Sequence, residues 1–354
     1  MAMAALFITG ASSAIGRGLL ERWRGEREVL VLTRRHDPPA WCTNVPGDLT
    51  RPGLGLSRSD RAAICSRVTE IVHCAAVTEF TAPRELADAV NVGGTLNLLA
   101  LARLCPKLER IGVLSTAYVA GRRRGRIRES ELDHRAGFVN TYERSKYRME
   151  LKLRQAMRSL PIAVYRLSTV AGNSRTGRVD QFNALHRALR FYYNGLVPML
   201  PGVEDSAIDL ISSDFACDAV AHLFTRRFVP RRTYHITAPQ RDLIPLPEFL
   251  ELTSQLFEEF DRRWKTRVVA NPPIVPLATF RLLERSVEKA GNPILRQVVR
   301  ATSAFVPQLC YNKRFDDANT RRGVRGTGIE RPALRDFYPA IVRYCLRTGW
   351  GAKP

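Results

Sequence analysis

The sequence predicts an α/β protein: a doubly wound parallel sheet followed by a smaller, mainly helical C-terminal region. Three observations carry that prediction. Short apolar runs of strand length alternate with longer stretches of helical period through the first two-thirds of the chain. The first run ends in a glycine-bearing turn, Thr9-Gly10-Ala11-Ser12-Ser13-Ala14-Ile15-Gly16, that opens a helix. From about Leu243 onward prolines gather at Pro245, Pro247, Pro272, Pro273 and Pro276, and helical stretches replace the alternation.

The elements follow in order. Ala5–Thr9 reads as a buried strand and 15–23 as the helix after it. Residues 29–32 form a second strand, 44–47 a weaker third and 71–74 a fourth. A long amphipathic helix is expected over 89–104, a fifth strand over 111–114 and a helix over 141–157. Pro161 ends that helix before a strand at 162–165, and 234–236 is the last strand. The expected division is a nucleotide-binding part, 1–242, and a helical substrate-binding part, 243–354, with 175–201 covering the cleft. Tyr118, Gln181, Phe182, Phe191 and Tyr192 are candidate cleft walls.

Composition bounds the function. An apolar share of 45% and a charged share of 25% are those of an ordinary globular protein. The seven cysteines lack the spacings of a zinc site or a disulfide framework, so reduced thiols in a cytoplasmic protein are expected and no metal is. The first residues lack the basic start and cleavage pattern of a secretory leader, and no apolar run approaches the ~20 residues that span a bilayer. The net charge of +21 comes almost entirely from arginine, in clusters such as Arg122-Arg123-Arg124 and Arg231-Arg232. These clusters lack interleaved aromatics, which argues against nucleic acid. Solvated faces, or an anionic partner such as a phosphorylated cofactor, coenzyme A, an acidic carrier protein or a peripheral membrane surface, account for them.

The turn after the first strand presents backbone N–H groups and a helix N-terminus, as a pyrophosphate requires, and makes the sheet Rossmann-type. Gly10 permits the turn and Gly16 permits close packing; Ser13 and Ala14 stand where such loops usually carry glycine. The second strand ends Thr33-Arg34-Arg35 with no acid for a ribose 2′-OH. Two guanidinium groups suit a 2′-phosphate instead, so NADPH is expected over NADH. Asp48, before Leu49, is either an acceptor for the adenine amino group or a turn aspartate.

Tyr142 and Lys146 stand four apart, on one face of a helix. A phenol of ordinary pKa ~10 becomes a proton donor and acceptor near neutrality when an ammonium stabilises its anion. Thr116 ends the fifth strand, where a hydroxyl faces the ligand crevice and can share an oxyanion. Ser115 is expected to turn toward backbone. Asn91 is a candidate to hold a water beside Lys146, or a structural amide.

Together the Thr9–Gly16 loop, Asp48-Leu49, Asn91-Val92, Thr116 and Tyr142/Lys146 resemble the extended short-chain dehydrogenase/reductases, across roughly residues 4 to 240. The segments 115–121, 138–146, 165–177 and 208–211 are similar to the thioester-reductase and fatty acyl-CoA reductase branch. That resemblance implies a catalytic trio of Thr116, Tyr142 and Lys146. It implies cofactor contacts at Gly10, Ser12, Ser13, Ala14, Ile15, Gly16, Arg34, Arg35, Asp48, Leu49, Ala75, Asn91, Tyr142, Lys146, Leu167 and Val170. Leu167 departs from the proline usual there. The implied reaction is NADPH-dependent reduction of an acyl thioester on coenzyme A or a carrier protein, and Arg122, Arg123, Arg124, Arg126 and Arg128 would attract that anionic carrier. A ketone or β-ketoacyl reductase, a sugar-nucleotide epimerase or dehydratase, a membrane-surface enzyme acting on lipids, and a non-catalytic NADP-binding regulator stay open. Ala117-Tyr118 in place of the Asp-Glu of dehydratases weighs against that one option.

Overall fold

A computed structural model describes residues 4–34, 37–268 and 270–352. Seven strands form one parallel sheet: β1 Ala5–Thr9, β2 Glu28–Thr33, β3 Thr43–Pro46, β4 Glu70–His73, β5 Arg110–Thr116, β6 Ile162–Leu167 and β7 Thr233–Ile236. Their spatial order is β7-β6-β5-β4-β1-β2-β3. The chain runs outward from β1 to β3, then crosses to β4 on the other side of β1. Such a reversal leaves a crevice at the carboxyl ends of β1 and β4, where ligands of doubly wound sheets bind.

The two-residue side-chain period of a strand sorts the core. Ala5 and Phe7, with Leu30, Ile71 and Val113, face helices α2 (Arg58–Arg67), α3 (Thr95–Ala102) and α4 (Thr141–Ala156). Leu6 and Ile8, with Val29, Val31 and Val72, face α1 (Ala14–Trp23) and a second helix of that layer, described below as α6. Strands buried on both faces read as continuous apolar runs, and that is why they were legible.

One helix differs from expectation. The helix anticipated over 89–104 starts earlier, as a short α-helical segment, Arg84–Asp88, widens into a π-helical turn, Ala89–Gly94, and then continues as α3. Leu104 lies beyond its end and is exposed. Gly94 explains the close packing: a Cβ there would sit 2.7 Å from Leu49 Cγ. The wide turn carries Asn91, and such turns recur at functional sites.

After β6 the chain forms a short strand, Thr169–Gly172, parallel to Leu210–Ser212. Between these two strands stands α5 (Ala184–Tyr193), and after them α6 (Ser213–Thr225), which packs on α1 through Cys217 against Gly18. The C-terminal third is mainly helical: α7 (Leu246–Phe260), α8 (Leu277–Ala290), α9 (Pro293–Ser303) and α10 (Leu334–Arg347). Leu189, Phe249, Phe257, Phe280 and Tyr338 join them in a third core. The chain then returns to the sheet. Lys313–Phe315 pairs with Gly125–Ile127, and the Asn319 and Thr320 N–H groups donate to the buried carboxylate of Glu129.

Candidate active site

Gly10 leaves β1 with φ +73°, and a Cβ on it would fall 2.3 Å from the Ala75 backbone nitrogen. Both the sign of φ and the approach of the chain beyond β4 require glycine. Gly16 is equally confined, its Cβ position lying 2.3 Å from the Gly10 carbonyl oxygen. Ser13 closes the loop with its own side chain. Its hydroxyl donates to the Gly10 carbonyl at 2.8 Å and accepts the Gly16 N–H at 3.0 Å, capping α1. No acid stands in the first turn of α1, so the positive end of the helix is uncompensated. The cradle and this helix end fit a dinucleotide pyrophosphate.

Ser13, Ala14 and Ile15 border a cavity of about 490 Å³ whose lining also includes Thr116, Tyr142, Lys146, Leu167 and Val170. The structure therefore brings eight of the expected catalytic and cofactor-binding residues to one space. Gly10, Ser12, Gly16 and Ala75 shape the adjoining loop rather than the lining itself. Ser12 is exposed, and its carbonyl accepts from Arg17 at 2.6 Å, a cation on the loop that sequence reading passed over.

Asn140 starts α4 by accepting the Glu143 N–H at 2.9 Å, which sets the pitch on which Tyr142 and Lys146 share a face. Lys146 is buried and its ammonium donates to the Leu114 carbonyl at 2.9 Å. Burial holds its pKa down to about 8, against the upward pull of the Glu150 carboxylate. Tyr142 is half-buried. Desolvation raises its pKa above the ordinary phenol value; a hydrogen bond with Thr116 partly offsets this, and Glu143 adds to the rise. The expected depression of the phenol by Lys146 is not met: burial outweighs what lowers the Tyr142 pKa. The phenol is neutral, the form that donates a proton.

The Thr116 hydroxyl donates to the Leu167 carbonyl at 3.3 Å and accepts the Tyr118 N–H at 3.2 Å. The Leu167 backbone carbonyl, which a proline would equally supply, thus helps to hold the hydroxyl at the end of β5. Ser115 departs from expectation, donating to Glu150 Oε1 at 2.6 Å rather than to backbone.

Other expected residues lie outside the cavity lining. The Asn91 amide is occupied by the Val77 N–H at 2.8 Å, the Val77 carbonyl at 3.0 Å and Ser145 Oγ at 2.8 Å. Asp48 accepts from the Thr50 hydroxyl at 2.7 Å and the Thr50 N–H at 2.9 Å, bonds that hold its carboxyl below the usual range. Leu49 is buried against Gly94. Arg34 is exposed at the end of β2, and Arg35 lies outside the described residues.

Tyr118, Gln181 and Phe182 line the cavity as expected of cleft walls, and Tyr192 lines a neighbouring chamber; Phe191 lines neither. Arg122, Arg123, Arg124, Arg126 and Arg128 are also absent from the cavity wall. Arg123 pairs with Glu131, and Arg126 with Asp316 at 2.7 Å. Residues that sequence reading missed include Phe80, Thr169, Arg187 and Phe305. The Phe80 ring lies 5.5 Å from that of Tyr142 and stacks on Phe305 at 5.9 Å. Phe80 follows the end of β4, a position that could have signalled it; Phe305 carries no local signal.

Comparison with known proteins places this site in context. The chain is 28% identical over 319 residues to isonitrile lipopeptide synthase of Streptomyces coeruleorubidus, covering 87% of this chain and 20% of that one. It is 24% identical over 222 residues to fatty acyl-CoA reductase wat of Drosophila melanogaster, covering 54% and 43%. Three of the curated relatives are matched over only 16%, 20% and 4% of their own length. The terminal R domain from the myxalamid PKS-NRPS biosynthetic pathway superposes with a TM-score of 0.81 at 23% identity, covering 99% of this chain and 92% of that one, a likeness of fold. Residues 40–220, just over half of the 354, match the Male sterility protein model. The chain therefore belongs to that NAD-binding family.

Proposed function

We propose that this protein is an NADPH-dependent reductase that converts an acyl thioester, carried on coenzyme A or a carrier-protein pantetheine, into an aldehyde. The observation that carries the reading is the convergence of Thr116, Tyr142 and Lys146 with the N-terminus of α1 on one cavity. NADPH supplies a hydride when bound. Gly10, Ser12, Ser13, Ala14, Ile15 and Gly16 would hold its pyrophosphate, and Leu167 and Val170, on the same cavity, would contact its nicotinamide. The neutral Tyr142 donates its proton to the thioester oxygen as negative charge grows there, and Thr116 stabilises the same oxygen by hydrogen bonding. The hemithioacetal so formed then collapses to aldehyde and free thiol. Lys146 brings a positive charge to the same cavity, where negative charge develops on the substrate oxygen. Residues 1–242 form the cofactor-binding part; residues 243–354, with 175–201, form the substrate-facing part. A cytoplasmic setting agrees with seven free cysteines, and no helix among the described residues is long and apolar enough to cross a membrane.

The test is NADPH oxidation against matched acyl-CoA thioesters, aldehydes and ketones. Thioester turnover with release of free thiol is expected; turnover of ketones alone would overturn the reading in favour of a ketone reductase. Binding without any turnover would make the protein a cofactor-dependent regulator.

The cofactor preference rests on Arg34 and Arg35. Charge-assisted bonds to a 2′-phosphate contribute about 1.5–3 kcal/mol. Arg34→Ala should therefore raise KM for NADPH about tenfold or more while leaving KM for NADH nearly unchanged. Equal or better use of NADH by the parent protein would sink the preference.

A further inference from the structure

Beside the reaction cavity lies a second chamber of about 110 Å³, and Tyr118, Thr169, Leu185 and Phe305 line both. Its volume far exceeds the roughly 10–15 Å³ that admits one water, so it is usable space rather than a packing defect. Leu189, Tyr192, Leu246 and Phe249 make most of it apolar. At the threshold the Tyr118 hydroxyl meets that of Thr169 at 3.0 Å. An apolar pocket opening from a carbonyl-reducing centre suits the chain attached to that carbonyl.

One wall breaks the pattern. Lys313 lines this chamber although only 6% of it is exposed. An ammonium removed from water requires both countercharge and acceptors. The countercharge is Glu143, beside Tyr142 on α4, which raises the lysine pKa against the larger lowering by burial. Gln308 bridges the two: its amide donates to Glu143, and its oxygen accepts from Lys313 Nζ at 2.5 Å. The Tyr311 carbonyl accepts a second proton at 3.3 Å. An ammonium has three protons to donate, and two acceptors account for two of them among the described residues. The Tyr311 ring lies 5.2 Å from Nζ, and among the described residues no oxygen or nitrogen accepts the third proton of this chamber-lining side chain.

We propose that Lys313 is a specificity residue, and that this chamber receives an acyl chain bearing a neutral oxygen, a hydroxyl or carbonyl, which accepts the remaining Lys313 proton. A carboxylate fits less well, because Glu143 already balances the charge and buried Asp209 lies on the same lining. A plain alkyl chain leaves the ammonium short of one acceptor. The inference rests on the thioester reading proposed above, and its test separates the two.

The test compares a medium-chain acyl-CoA with isomers carrying one hydroxyl at successive carbons. The best hydroxylated isomer should exceed the plain chain in kcat/KM by about tenfold or more. Lys313→Met should bring that ratio close to one. Because the change alone strands the Glu143 carboxylate, Lys313→Met with Glu143→Gln is made as well and should show the same loss. A parent ratio near one at every position overturns the proposal, as does a ratio that survives in the double variant. Kd for the same panel, read by intrinsic fluorescence, reports the preference without turnover. Selective binding with no reduction of any thioester would count against the proposed reaction and still support Lys313.

Discussion

Tyr142→Phe is expected to lower kcat by about 100- to 10,000-fold, the range over which a positioned proton donor contributes, with the Kd for NADPH hardly changed. The ring is retained, so its contact with Phe80 survives and only the phenol is lost. Stopped-flow oxidation of bound NADPH with a saturating thioester would show this directly. Full activity in Tyr142→Phe would remove the phenol from the mechanism. The parent enzyme should also lose activity as pH rises through about 8, the value to which burial brings Lys146. The sign follows from the ionisation: below that pH the lysine is an ammonium that stabilises negative charge in the cavity, and above it a neutral amine. A rate that stays flat or increases through that range would leave Lys146 without an electrostatic role.

The second large effect concerns folding. Arg166 and Glu150 are 2% and 3% exposed, and their side chains meet at 2.8 Å. Glu150 also accepts from Ser115, so the pair ties α4 to both β5 and β6 beneath the reaction centre. Removing one partner strands the other charge in the core. Glu150→Ala or Arg166→Ala should each destabilise the protein by about 3–5 kcal/mol, read as a lowered urea midpoint with unchanged slope. Replacing both with methionine should recover most of that loss, because the stranded charge disappears with its partner. A single variant within about 0.5 kcal/mol of the parent, as surface changes are, would show that the pair carries no such weight. Glu150 also pulls the Lys146 pKa upward. A folded Glu150→Gln should therefore move the pH limb of the activity to lower pH, linking the buried pair to the chemistry.

Local chemistry by itself determined the strands, the glycine-bearing loop after β1 and the spacing of Tyr142 and Lys146. Apolar runs such as Leu6-Phe7-Ile8 pack on both faces, and so they declare buried strands without reference to any partner. Gly10 at φ +73°, Ser13 as cap and the helix it opens are neighbours in sequence, and their geometry is set within one turn. Tyr142 and Lys146 share a face because the helix pitch places them there. The side chains with two open readings were those with two kinds of partner within reach. Asp48 had a turn or an adenine to serve, and it closes a local turn on Thr50, two residues on; Asn91 had a backbone or a water, and only tertiary packing put it on Val77. Tertiary structure alone decided the rest. Gln308 meets Glu143 across 165 positions, and Phe305 reaches Phe80 through the same returning segment. No periodicity records such a meeting, because pattern reports the face a residue presents and not what will cover it. The Lys313 ammonium beside an apolar chamber is of this second kind, a product of where the C-terminal chain comes back to the sheet.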